Sequence, residues 1–231
     1  MATDLSTLRS RARTRADAVG NNFFSDSEID RYINVGLGEL HDILVQQFED
    51  YYVTSVEFNL ESDKTTYTFN ELGIRNFYKC LGVDCTDSGE TIRLRRFSFS
   101  ERNRYESTAI TGRGGYTDYQ YQIRGNGVEF IPKPNTTSTI KLWYIPSFVE
   151  LEEDDDEINS FIMSNWEEFA VVTAVYKMKE KEELSTTVIE RELEGLRARI
   201  EEASQNRDAG DPGGVTDELT GTRPGWLRAF R

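Results

Sequence analysis

One histidine and two cysteines in 231 residues leave little material for catalysis. A Ser-His-Asp or Cys-His arrangement would have to be built around His41, on a helical stretch, and no G-x-S-x-G elbow is present. His41 is therefore expected to be a polar or partly exposed helix residue. Cys80 and Cys85 have no histidine nearby and make a poor zinc site. They suit a reducing compartment as buried or half-buried free thiols. No apolar run approaches the ~20 residues needed to span a bilayer, so no membrane partner is expected. Arg9, Arg11, Arg13 and Arg15 come without an apolar h-region, so the start is not read as a secretory signal. Cations are the minority: 27 Lys and Arg stand against 41 Asp and Glu, a net charge of −14. Such a chain repels nucleic acid and is a poor DNA or RNA binder.

Acidic side chains are plentiful. The run Glu150–Glu157 holds seven acids in eight positions. It lacks the glycine and the alternate-position ligands of a calcium loop, and like charges in a row repel and stay hydrated. A solvated loop is expected, leading into the positive N-terminal end of the helix after it. A hydrolase holding Ca²⁺ or Mg²⁺ on this run is the catalytic alternative. The loop Gly112-Arg113-Gly114-Gly115 has no Walker lysine and offers no phosphate cradle. With 41 acids, chance carboxylate pairs are guaranteed and carry little information. The chain reads as a non-enzyme, with no cofactor and no bound metal.

What the sequence does contain is periodicity. Thr3 to Val19 reads as a helix with Leu5, Leu8, Ala12, Ala16 and Val19 on one side, ended by Gly20-Asn21-Asn22. Ser25 and Glu28 form a capping box, and Phe24 before the cap can staple onto Ile29. That helix carries Ile29, Ile33, Leu37, Leu40 and Leu44 inward. Gly36 and Gly38 each cost it about 1 kcal/mol, tolerable where another backbone packs closely. Phe48, Tyr51 and Tyr52 close the segment.

From Val53 the period falls to two. Strands are expected over 54–60, 65–69, 77–83, around Ile92 and Leu94, and over 140–145, with a short helix or irregular arm over 97–105. The clearest hairpin has Tyr119, Tyr121 and Ile123 alternating with polar residues, Gly125-Asn126-Gly127 as its turn, and Val128–Ile131 returning to Pro132. About six strands at short spacing indicate an antiparallel sheet or small sandwich.

Two helical stripes follow. Ile162, Trp166, Phe169, Val172 and Tyr176 form the first, with capping-box spacing at Ser164 and Glu167. Ile189, Leu193, Leu196, Ile200 and Ala203 form the second, after Thr187 and Glu190 with the same spacing. They suggest antiparallel helices or one kinked helix, packed within a bundle core or between subunits. The candidate subunit-interface residues are Trp166, Phe169, Val172, Ile189, Leu193, Leu196 and Ile200. After Asn206 a breaker cluster, Gly210-Asp211-Pro212-Gly213-Gly214, opens a tail. In its last nine residues Trp226, Leu227 and Phe230 interleave with Arg223, Arg228 and Arg231, as in a docking peptide.

The fold class expected is α+β: an α-helical bundle with an inserted antiparallel β-sheet or sandwich region and an extended C-terminal tail. Residues 1–50 give the N-terminal helical part, 51–149 the β insertion, 150–207 the acidic loop and helical pair completing the bundle, and 208–231 the docking tail.

Three stretches carry a likeness: Phe24-Ser25-Asp26-Ser27-Glu28-Ile29-Asp30-Arg31-Tyr32-Ile33-Asn34, the segment from Val128-Glu129-Phe130-Ile131-Pro132 to Trp143-Tyr144-Ile145-Pro146, and Trp166-Glu167-Glu168-Phe169-Ala170. Over residues 1–207 the chain resembles the head-to-tail adaptor (connector or neck) proteins of tailed bacteriophages. The resemblance implies a homo-oligomeric ring of twelve subunits beneath the portal, with portal protein above and tail, nozzle or fibre proteins below. It implies a central channel through which DNA passes without sequence-specific binding. It also implies a place in the virion neck after assembly in the host cytoplasm. In related adaptors the C-terminal segment reaches into the portal; here that portal-binding role falls on Arg223 and Gly225 to Arg231, that is Gly225, Trp226, Leu227, Arg228, Phe230 and Arg231. The β insertion is larger than in the smallest adaptors, which are nearly all helix. The alternative is a tail-associated receptor- or glycan-binding module, motivated by the Tyr-rich stretch Tyr116 to Tyr121, since exposed aromatics stack on sugars.

Overall fold

The computed structural model describes residues 3–20, 22–87, 89–102, 119–134, 137–158 and 166–205. It is an α+β chain with four helices and two four-stranded sheets among those residues. Helix α1 runs Leu5–Arg15, and the Asp4 carboxylate caps it by accepting from Thr7 N at 2.7 Å. Leu5, Leu8, Ala12 and Ala16 are buried as their spacing predicts. The helix stops earlier than expected. Asp17 takes a left-handed conformation (φ 57°), so the chain turns before Gly20 and Val19 is exposed rather than on the core face.

Helix α2 runs Asp26–Gln47, and the Ser25 hydroxyl accepts from Glu28 N, one half of the capping box, while the Glu28 carboxylate accepts from Tyr32 and Lys181. Phe24 and Ile29 are both buried in the helical core, with Ile33, Leu37, Leu40 and Leu44. At Gly36 the backbone of the next helix leaves no room: an added Cβ would stand 2.7 Å from Ala170 Cα and 3.0 Å from Thr173 Cβ. Gly38 has no such neighbour, with only Phe148 Cδ1 at 3.7 Å.

Helix α3 runs Glu167–Lys181 and α4 Thr187–Gln205. Glu183 in the left-handed region (φ 57°) separates them, so the pair is a hairpin of two helices and not one kinked helix. Helix α3 packs on α1, α2 and α4, and Phe169 to Val175 are buried without a break. A helix apolar on every side is a central helix. Trp166 occupies the N-cap position of α3 with no side-chain cap bond, and Ser164 and Ile162 lie outside the described residues. In α4, Thr187 is already helical; the hydroxyl of Thr186, one residue earlier, donates to the Glu190 carboxylate at 2.6 Å.

The β region comprises β1 (Thr54–Asn59), β2 (Thr66–Thr68), β3 (Lys79–Asp87), β4 (Glu90–Arg93), β5 (Arg95–Arg96), β6 (Gln120–Arg124), β7 (Gly127–Ile131) and β8 (Thr139–Ile145). The sheets have orders β1-β8-β3-β4 and β2-β7-β6-β5. Tyr67, Val83, Tyr121, Phe130, Ile140 and Leu142, drawn from both, share one core. The sheets therefore form a sandwich.

Two details depart from the sequence expectation. The strand expected around Ile92 and Leu94 changes sheets in mid-course. Leu94 N still donates to Val83 O, whereas Arg95 pairs with Gln120 in parallel and Phe97 N donates to Tyr121 O. Leu94 is buried at the crossing, and Ile92 is exposed. The β6–β7 turn takes only Gly125 and Asn126. Gly127 is already the strand partner of Arg124, and a Cβ there would stand 2.5 Å from Tyr67 O in β2.

Candidate functional site

Helix α1 is the tie bar of the bundle, through the arginines that composition alone would leave in solvent. Arg9 holds Asp30 of α2 in a fork, Nε to Oδ1 at 2.6 Å and Nη2 to Oδ2 at 2.8 Å, and reaches Asp154 Oδ1 at 2.7 Å. Arg11 pairs with Glu167 and Glu168 at the start of α3. Arg13 bonds Asp26 and the Phe24 carbonyl, and Arg15 bridges Glu168 and Glu192 of α4. Arg9 and Arg13 thus tie α1 to α2, and Arg11 and Arg15 tie it to α3, with Arg15 reaching on to α4. The fork around Asp30 holds the Arg9 guanidinium well above its ordinary pKa, and the Arg13 hydrogen bond holds the Asp26 carboxyl below its own.

The acidic run works through its backbone. Asp156 O and Asp154 O accept from Leu5 N and Ser6 N, two donors that the first turn of α1 leaves without intrahelical partners. The run therefore serves the N-terminus of α1. Asp156 turns its own carboxylate on Glu152 N and Glu153 N at 2.7 and 2.9 Å, which lowers its pKa. Buried Asn34 of α2 pairs with both backbone groups of Leu151, 2.9 Å each way. Among the described residues no group of three or more His, Cys, Asp or Glu is arranged to hold a metal ion.

A pocket of about 360 Å³ opens where this run meets α2. Its apolar wall includes Tyr52, Phe148, Leu151 and Ile158; Glu150 and Glu157 stand at its edge. His41 lines it and is 3% exposed, not the polar or partly exposed residue its chemistry suggests. Its position four after Leu37 and three before Leu44, on the buried stripe, is the signal that outweighs chemistry here. Burial pushes its pKa below the ordinary histidine value, and the Asp42 carboxylate, 3.7 Å from Nδ1, opposes that only in part. His41 Nε2 is buried with no hydrogen-bond partner.

The residues singled out from sequence are distributed as follows. Phe169, Val172 and Ile200 are buried within the single chain. Trp166, Ile189, Leu193 and Leu196 are half-buried against the helical core. Val188 and Leu184 beside them are 76% and 51% exposed. Tyr119 and Tyr121 are buried in the sandwich, so neither offers a ring to a sugar, and Tyr116 lies outside the described residues. The tail set Arg223, Gly225, Trp226, Leu227, Arg228, Phe230 and Arg231 also lies outside them, as does Gly112–Gly115. Cys80 and Cys85 are free thiols, half-buried and buried, and burial raises both pKa values. Among the described residues no helix is long and apolar enough to cross a membrane.

The family model described as SU10 adaptor protein matches residues 3–216, a span that covers every helix and strand above. No curated protein sequence matches the chain at a significant level.

Proposed function

The chain belongs to the SU10 adaptor protein family, a family of phage structural adaptors and not of enzymes, and we propose that it forms a ring beneath the portal that joins the capsid to the tail. The observation that carries this reading is the family match running unbroken across both the helical bundle and the β sandwich. In this reading the ring has twelve copies and sits in the virion neck. Portal protein lies above it, tail, nozzle or fibre proteins lie below, and DNA passes through the centre.

The physical properties support the role. A net charge of −14 per copy gives the channel a field along which DNA slides without adhering. The proposed contact between copies lies on α4. Its residues Ile189, Leu193 and Leu196 are only half covered by their own chain, and Val188 extends that surface outward. Helix α3 is enclosed by its own bundle, so Phe169 and Val172 support the contact from behind. The proposed portal-binding segment is Arg223 to Arg231. Purified portal mixed with the chain and imaged by electron microscopy tests the reading. A ring of added density on the tail-facing end is expected, and an undecorated portal refutes it.

A further inference from the structure

The pocket at His41 combines three features. Its wall is apolar, from Tyr52, Phe148, Leu151 and Ile158. It contains a buried polar atom, His41 Nε2, with nothing to bond. Its edge carries the exposed carboxylates of Glu150 and Glu157. Two acceptors act on the ring, the Asp42 carboxylate 3.7 Å from Nδ1 and the Pro146 carbonyl, and neither bonds Nε2; with the proton on Nδ1, Nε2 is an acceptor open to a donor. A buried acceptor left unbonded costs about 1–3 kcal/mol. The matching ligand is a broad apolar body with one N–H and no acceptor, followed by positive charge. That is an indole flanked by guanidinium groups.

The chain supplies such a ligand. Trp143 is occupied, its Nε1 donating to Asp84 at 2.7 Å, and Trp166 is fixed at the start of α3. The remaining tryptophan is Trp226, with Arg223, Arg228 and Arg231 around it. The path of the chain brings it to the correct end of the bundle. Lys181, the last residue of α3, is bonded to Glu28 at the start of α2, so α4 begins near that end. Helix α4 packs on both α2 and α3, and its 19 residues run back about 28 Å at 1.5 Å per residue. His41 lies about 20 Å along α2 from Glu28 by the same rise, so the chain beyond Gln205 leaves at the pocket's end. The 21 residues from Gln205 to Trp226 span up to about 70 Å extended, ample for a return.

We infer that the chain's own C-terminal segment docks in this pocket, Trp226 against His41 with its indole N–H on Nε2, and the neighbouring arginines on the carboxylate edge. The isolated subunit would in this way shelter the aromatic anchors that the ring reading assigns to the portal.

Limited trypsin digestion of the full chain, followed by intact-mass spectrometry, tests the docking without any portal. It can therefore fail while the ring reading stands, and the reverse. Cleavage after Arg228 is compared with cleavage after Arg207, which lies between α4 and the docking segment in sequence. A segment docked nine-tenths of the time is cut about tenfold more slowly, since only the free fraction is cleavable. Trp226→Ala is expected to restore fast cleavage at Arg228 and leave Arg207 unchanged. Glu157→Lys, at an exposed edge position, is expected to give a partial release, and His41→Phe, which keeps an aromatic ring and removes the acceptor, a larger one. Equal rates for the wild type and Trp226→Ala overturn the inference. Protection that disappears on dilution also overturns it, because the segment would then belong to a second copy.

Discussion

Gly36→Ala reads out the closest helix contact in the bundle, and its sign separates two physical effects. On an unhindered helix face, replacing glycine by alanine stabilises by about 1 kcal/mol, because glycine has more backbone freedom to lose. At Gly36 the new methyl would stand 2.7 Å from Ala170 Cα and 3.1 Å from Ala170 O. Both are backbone atoms of α3, so no side-chain rotation relieves the overlap. Helix α3 is also held by Arg11 and by its contacts with α1 and α4, which resists moving it. Overpacking of this kind costs about 1–3 kcal/mol, with the upper half expected where backbone must shift. After the propensity gain is subtracted, a net destabilisation of about 1–2 kcal/mol remains. For a chain of this size that lowers the unfolding midpoint by about 2–8 °C. Gly195 on α4 is the control: nothing lies within 4 Å of its would-be Cβ, so Gly195→Ala should raise the midpoint. Helical ellipticity followed through thermal and urea unfolding measures both variants. A Gly36→Ala protein as stable as Gly195→Ala would refute the close approach of α2 and α3.

Three further perturbations address the rest of the bundle. Arg9→Met leaves Asp30, itself mostly covered, without its fork; after discounting for partial exposure the cost should be about 2 kcal/mol. Asp30→Asn in the same background should recover part of it, and strict additivity in the urea midpoints would argue against the pair. His41 should titrate below 6.5 by NMR, because burial favours its neutral form against the pull of Asp42 and the Pro146 carbonyl. Its folded pKa is depressed, so the unfolded chain takes up the proton first. Its contribution to stability is therefore complete above about pH 6.5 and is lost as pH falls below that value, a slope that His41→Phe should flatten. A titration midpoint at or above 6.5 would contradict the burial. Cys80 and Cys85, with thiol pKa values raised by burial, should react with a disulfide reagent about tenfold or more slowly in the folded chain than in denaturant, whereas prompt labelling of both would show an open sandwich.

Local devices were legible in the sequence, and devices that need a distant partner were not. The Ser25–Glu28 cap is closed by atoms three residues apart, so spacing suffices to find it. The same holds for the buried stripe of α2 and the alternation in β6 and β7. Gly127 reads as a turn residue until β2 is laid beside it, because the clash that demands glycine comes from Tyr67, 60 positions earlier. The sheet change at Leu94 is silent because Leu94 points inward in either sheet. The arginines of α1 look like a solvated face, since periodicity separates apolar from charged residues but not paired charges from free ones. The acidic run hides its role most completely. It supplies carbonyls to α1, and every residue type carries a carbonyl.

The enclosure of α3 restricts where copies of the chain can meet, and this gives the ring reading a sharper test than the seven residues first singled out. Phe169, Val172 and Ile200 have no surface left for a neighbour, so changing them would damage the subunit and any ring together. Val188 is different: it is 76% exposed on α4, next to the half-covered Ile189. Exposed helix positions of this kind usually tolerate substitution within about 0.5 kcal/mol, so Val188→Lys should leave the subunit's unfolding midpoint unchanged. In a ring closed through α4 the same lysine would enter an apolar contact without a partner, and an unpaired charge there costs several kcal/mol at every interface. Decoration of the portal should then fall from complete rings to isolated subunits or none, at unchanged subunit stability. Complete rings of Val188→Lys would move the contact off this face of α4.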